Sequence, residues 1–104
     1  MAKVLVNPGV CGFVTTVTVV SADGQTVDVS LASGCEHIMA MEAELKGLDS
    51  YAEVLTGFGS SQVFKSAAAH CRHAACPVPT AILKAIEVAA GLALARPVSM
   101  EIEK

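Results

Sequence analysis

The chain has 104 residues, of which 53% are hydrophobic and 16% are charged, and its formal net charge is −3. This length predicts one domain over residues 1–104, with enough apolar side chains for a core without disulfides. The acidic balance and the low aromatic content argue against a nucleic-acid or anionic-membrane surface, so neither partner is expected.

The apolar segments are short. The N-terminal run Lys3–Val6 is too brief for a signal peptide, and the longest apolar stretch, Val88–Ala95, cannot span a bilayer. These features predict a cytoplasmic protein. In that reducing compartment, four cysteines are more often thiols or metal ligands than disulfides.

The first half of the chain is typical of β-structure. Lys3–Val6 predicts a strand, and Phe13–Ser21 is rich in the β-branched residues that suit a sheet. Thr26–Ala32 alternates apolar and polar residues, and Asp23-Gly24 between the two runs predicts a hairpin with a tight turn.

That tight turn also fixes a register. Counting outward from it places Gly12 opposite Cys35 and Cys11 opposite Glu36. Two cysteines that are distant in sequence would then meet at the open end of one hairpin, and a bulge would shift the pairing by one residue without separating them.

The second half is typical of helices. Capping boxes begin at Ser33 and Ser50, and prolines in a first helical turn predict a long helix near the C-terminus. Because strands and helices are segregated, the pattern predicts an α+β fold, a mainly antiparallel sheet of three to four strands with helices on one face. The expected elements are helices from Ser33 to Lys46, Ser50 to Gly57, Gln62 to His70 and Pro77 to Leu94, and an edge strand Val98–Glu103.

The cysteines are the candidate functional residues. Cys11 is flanked by glycines, which leave space around a thiol. Cys35 and Cys76 lie at expected helix starts, where free amides and the helix dipole stabilise a thiolate. Thiolates bind soft metals, so we expect Cys11, Cys35, Cys76 and Cys71 to be ligands, with His73 as a further candidate.

Simpler interpretations remain open for each residue. A free cysteine often fills a core, and a histidine at a helix C-terminus is favourable without a metal. The carboxylates of Glu42, Glu44 and Glu53 have the pattern of surface charges, so no catalytic acid pair is expected.

Three short motifs resemble the iron–sulfur cluster assembly scaffolds of the IscU/NifU N-terminal type, which share a fold with SufE. They are Cys11-Gly12 before a hairpin, Gly34-Cys35 at the start of the next helix, and Cys76 at the head of a long C-terminal helix. The resemblance covers roughly residues 9–94 as a pattern of elements. It implies an iron–sulfur cluster on the cysteines, and partners among other assembly or acceptor proteins.

The chain also departs from that family. Phe13 stands where the family has an aspartate, Ala75 stands where it has a histidine, and the Leu-Pro-Pro-Val-Lys segment is missing. Cys71 and the C-terminal strand are additional. These differences predict a divergent relative that holds its metal more firmly.

The sequence therefore predicts a protein that binds a metal ion or an iron–sulfur cluster through clustered thiolates, and it favours a binding protein over an enzyme. A structural zinc site fits four thiolates equally well. A sulfur-transfer protein with a nucleophilic Cys35 or Cys76 and His73 as base is another alternative, and an interaction module with inert cysteines is a third. The final edge strand could also pair with a second copy of the chain.

Overall fold

The computed structural model describes residues 1–104. Its sheet has four strands in the order β1-β2-β3-β4, and all neighbouring pairs are antiparallel. Helices pack on one face of this sheet, and the predicted α+β class is confirmed. The strands are β1 (Ala2–Val6), β2 (Thr15–Val20), β3 (Thr26–Ser33) and β4 (Leu48–Asp49); the helices are α1 (Glu36–Met39), α2 (Ser50–Val54), α3 (Gln62–His70) and α4 (Val78–Ala89).

The core lies between the sheet and the helices. Alternate residues of β2 and β3 are buried, as the sequence pattern requires for a sheet with one solvated face. The long helix α4 packs across β1 and β2, while α3 packs on α1 and α4. The prediction of a helix over Gln62–His70 is confirmed at both ends. No helix has the length and apolarity needed to cross a membrane.

The hairpin forms, but the predicted tight turn is wrong. Thr15 pairs with Ser33 and Val20 with Asp28, a register one residue away from the expected one. The cause is Asp23, whose carboxylate accepts hydrogen bonds from the backbone of Gln25 and Thr26 at 2.9 and 2.8 Å and so stabilises a longer loop. Continuing this register places Phe13, rather than Gly12, opposite Cys35.

The predicted helix from Ser33 to Lys46 is also wrong, because the chain from Glu42 onward forms hydrogen bonds with the edge of β3. The Glu42 carboxylate accepts a hydrogen bond from the Leu31 amide at 2.6 Å, and the Leu45 carbonyl accepts one from Val29 at 2.9 Å. A continuous helix would leave these strand amides without partners. The α-helix therefore ends at Met39, and a short 3-10 turn follows.

The last segment departs most from the sequence pattern. The predicted edge strand Val98–Glu103 does not form, and Val98, Met100 and Ile102 are exposed. Alternation gives strand propensity, but a strand is stable only when it pairs with another strand, and this segment pairs with none. Helix α4 ends at Ala89, earlier than expected, because Gly91 adopts a positive φ of 76° just after it.

Candidate functional site

Three of the four cysteines lie together beside the core. The Cys71 thiol, just after α3, contacts the thioether of the fully buried Met41 at a distance of 3.6 Å between sulfurs. Cys35 and Cys76 are close enough to influence the ionisation of Cys71, and all three side chains are partly buried against the core. We call Cys35, Cys71 and Cys76 the thiol cluster.

Ionisation of Cys71 is disfavoured within the thiol cluster. Burial, and to a smaller extent the neighbouring Cys76 and Cys35 thiols, raises the pKa of Cys71 to about 11. Each cause acts against a negative charge, since an apolar environment solvates a thiolate poorly and nearby sulfurs add repulsion. Without a cation, Cys71 is therefore a neutral thiol at physiological pH.

Cys35 is positioned by the end of the β2–β3 hairpin. Its backbone amide donates a hydrogen bond to the Ser33 hydroxyl at 3.1 Å, and the Thr15 hydroxyl also donates to Ser33, at 2.8 Å. Thr15 is fully buried. The predicted capping box on Ser33 is wrong, because Cys35 itself is the N-cap of α1.

Phe13 lies beside the same junction. A β-carbon added to Gly34 would approach the Phe13 ring to 3.1 Å, so the ring rests against the backbone that precedes Cys35. Phe13 is half exposed.

A pocket of about 370 Å³ opens beside the other two cysteines. Cys71 and Cys76 line it together with His73, which the sequence proposed as a ligand or base. The pocket lies between the end of α3 and the start of α4. The turn that joins these helices is closed by a hydrogen bond from the Cys76 amide to the His73 carbonyl at 3.2 Å.

Cys11 stands apart from the thiol cluster. It is exposed, in a turn closed by a hydrogen bond from the Gly12 amide to the Gly9 carbonyl at 3.0 Å. Val6, Thr15 and Ser33 form one row across the sheet, so the loop that carries Cys11 leaves the sheet at the same end as Cys35. The structure shows no contact between Cys11 and another sulfur.

No three histidine, cysteine, aspartate or glutamate side chains converge in an arrangement that could hold a metal ion. The chain contributes to the thiol cluster from three separate segments, namely the start of α1, the end of α3 and the turn before α4.

Two of the carboxylates that the sequence pattern assigned to the surface contact helix α3, although Glu44 is exposed as that pattern predicts. Glu53 is buried, and it accepts hydrogen bonds from the amides of Gln62 and Val63 at 2.9 and 3.0 Å, at the start of α3. Glu44 accepts one from Ser66 at 2.7 Å and lies 2.7 Å from the His70 ring nitrogen. The Ser66 hydroxyl and then His70 lower the pKa of Glu44.

No local signal in the sequence reveals these roles, because each carboxylate acts on a helix that follows many residues later. The motif at Ser50 suggested that Glu53 caps its own helix. The N-cap of α2 is instead Asp49, whose carboxylate accepts from the Tyr51 amide at 3.0 Å, and Glu53 is free to cap α3.

Comparison with known families gives one match, a family model that covers residues 2–102 and therefore includes every cysteine and histidine described above. The chain belongs to the DUF6951 family. This is described as a family of unknown function. Neither curated proteins nor solved structures gave a significant match. The resemblance to the IscU/NifU scaffolds stays a prediction.

Proposed function

We propose that this protein binds a soft metal ion or an iron–sulfur cluster through Cys35, Cys71 and Cys76, in the reducing cytoplasm. The observation that carries the proposal is the proximity of three cysteines from three separate chain segments, which lie partly buried against the core with Cys71 in contact with Met41. Scattered core cysteines have no reason to gather in this way, whereas thiolates on different segments are the usual ligands of zinc and iron–sulfur centres.

The chemistry of the donor set fits such a group. Three thiols supply soft ligands, and a bound cation would remove the two effects that keep Cys71 protonated, its poor solvation and its repulsion by Cys35 and Cys76. Metal binding requires the three side chains to turn toward one ion. Partly exposed cysteines next to helix ends can make such rotamer changes, and Cys11 and His73 are the candidates within the chain for a fourth ligand.

Metal and sulfide analysis of protein purified without oxygen is the direct test. If iron and sulfide are present, anaerobic reconstitution gives a visible charge-transfer absorbance that Cys35→Ala removes. If zinc co-purifies in a one-to-one ratio and iron-treated protein stays colourless, the site is structural zinc. Protein that retains no metal and shows no thiolate absorbance with Co²⁺ overturns the proposal.

The matched variants are Cys35→Ser and Cys11→Ser. Both remove one thiol, but only Cys35 belongs to the thiol cluster, so Cys35→Ser abolishes metal retention. Equal loss in the two variants would place Cys11 in the ligand set as well. Unchanged retention in Cys35→Ser contradicts the proposed site.

The position of Phe13 bears on whether the protein holds or donates its metal. The ring rests on the Gly34 backbone next to Cys35 and offers no oxygen ligand, so we propose that it limits the access of water to that side of the site. We expect slow transfer of a cluster to an apo-ferredoxin and faster transfer from Phe13→Asp. Transfer by the wild type as rapid as by the variant contradicts this role.

The pocket beside Cys76 favours sulfur transfer as a second candidate function. The Cys76 thiolate would attack the outer sulfur of a persulfide, forming a Cys76 persulfide while the donor leaves as a thiolate, with His73 as the base that first takes the Cys76 proton. Incubation with a small persulfide followed by mass spectrometry tests it. A gain of one sulfur on Cys76, lost in Cys76→Ser, supports transfer over metal storage.

A further inference from the structure

The pocket beside the thiol cluster has an unusual charge for this protein. The chain as a whole is acidic, with a formal net charge of −3, yet the charged or titratable residues in the pocket wall are Arg72, His73 and the two cysteines. No aspartate or glutamate lines it. The pocket therefore favours an anion over a neutral or cationic molecule.

Arg72 is available to such an anion. Its side chain is exposed and forms no ion pair, because the salt bridges of the chain are His70 with Glu44 and Lys84 with Glu87. A guanidinium holds a carboxylate through two parallel hydrogen bonds, which gives orientation as well as affinity.

The remaining residues of the pocket wall favour a ligand that carries sulfur and apolar atoms. Cys71 and Cys76 face the pocket, and Phe64, Ala67 and Pro79 supply its apolar surface. A volume of about 370 Å³ suits a molecule of a few tens of atoms or fewer. A ligand that reaches the thiol cluster from this side meets two sulfurs first.

From this arrangement we infer that the pocket takes a small anionic thiol, whose carboxylate pairs with Arg72 and whose sulfur completes the ligand set of Cys35, Cys71 and Cys76. This inference rests on the proposed function. It assigns the fourth position to a molecule from outside the chain, ahead of Cys11, which lies exposed on a separate turn. A site completed in this way is open to exchange at one ligand.

Co²⁺ is the probe, since its absorbance reports the number of bound thiolates. Protein with Co²⁺ is titrated anaerobically with glutathione, and the spectrum of Co²⁺ with glutathione alone is subtracted. A fourth thiolate raises the charge-transfer absorbance by about one third over the three protein thiolates. S-methylglutathione, which lacks the thiol, and cysteamine, which is cationic, give no such increase.

Arg72→Ala and Arg96→Ala are matched variants. Loss of the Arg72 guanidinium raises the half-saturating glutathione concentration roughly tenfold, by the usual free energy of a charged hydrogen bond. Arg96 lies outside the pocket, and its variant behaves like the wild type. Cys11→Ser also keeps the response.

The outcomes separate the two proposals. If Co²⁺ gives no thiolate absorbance at all, the proposed function fails and this inference fails with it. If Co²⁺ binds but glutathione changes nothing, or cysteamine acts as well as glutathione, only the anionic thiol is overturned. A glutathione response that is equal in Arg72→Ala and wild type overturns the role of Arg72 and with it the assigned pocket.

Discussion

The two ends of α3 differ in how well the polar groups near the core are hydrogen-bonded. At the N-terminus, the Glu53 carboxylate and the Ser61 hydroxyl accept hydrogen bonds from the first three amides of the helix, and every partner is satisfied. At the C-terminus, the Cys71 thiol donates a hydrogen bond to the Met41 thioether, a weak acceptor, next to an open pocket. A satisfied group stabilises the fold, whereas weakly bonded soft groups in a cluster remain available to a ligand.

The largest expected change in stability is at the N-terminus of α3, where the helix amides are fully hydrogen-bonded. Replacing Glu53 by alanine leaves the buried amides of Gln62 and Val63 without acceptors and lowers the free energy of unfolding by about 3 kcal/mol. Chemical denaturation followed by circular dichroism measures it. Glu101→Ala, in the exposed tail, is the control. A loss of less than about 0.5 kcal/mol for Glu53→Ala would remove the distinction between the two ends.

The second prediction concerns the C-terminus of α3, where the reactivity of the Cys71 thiol should depend on pH. Because the pKa of Cys71 is raised to about 11, its thiolate fraction, and so its alkylation rate, rises about a hundredfold between pH 8 and pH 10. The folded state favours the protonated thiol, so this group's contribution to stability is lost as the pH rises from the ordinary value of 9.0 toward about 11.

Residue-resolved mass spectrometry after iodoacetamide treatment gives these rates. Exposed Cys11 is the internal reference and reacts faster than Cys71 at pH 8. A Cys71 rate that reaches its plateau near pH 9 would mean that this thiol is not held in an apolar cluster.

A smaller effect is expected where the Phe13 ring lies against Gly34. Gly34→Ala places a methyl group about 3.1 Å from the Phe13 ring and displaces it, which costs about 1 kcal/mol of stability and speeds alkylation of Cys35. Gly59→Ala is the matched control, since a β-carbon there meets nothing within 4 Å. Equal Cys35 rates in the two variants would show that Phe13 does not shield the cluster.

The smallest effect is expected for the tail. Deleting residues 98–104 changes the free energy of unfolding by less than about 0.5 kcal/mol, because these side chains are exposed and unpaired. Thiol reactivity at the other cysteines stays the same. A clear loss of stability in this variant would show that the tail packs on the sheet in solution.

Local sequence patterns were sufficient to predict the class of fold and the bounds of α3. The apolar spacing and the N-cap serine of this helix lie within a few residues of each other. It failed where a distant partner decides the outcome. The Asp23 carboxylate reshaped the hairpin turn, and Glu42 supplied a hydrogen bond that the edge of β3 required. Neither contact is visible as a periodicity.

The same limit applies to the site. The sequence named all three residues of the thiol cluster as candidates, but it chose Cys11 as the neighbour of Cys35 through a register that is one residue away from the observed one. The acceptor roles of Glu53 and Glu44 depend on how α2 and the turn after α1 pack against α3, which only the assembled fold specifies.

The hydrogen bonds that cover the outer edge of β3 have a consequence for self-association. Glu42, Leu45 and β4 occupy the hydrogen-bonding groups along that side of the sheet, so a further strand has no room to pair there. β1 is paired only with β2 and keeps its outer edge free. A sheet with one closed edge cannot grow into an open chain of copies, and any assembly through strand pairing at β1 ends with two molecules joined edge to edge.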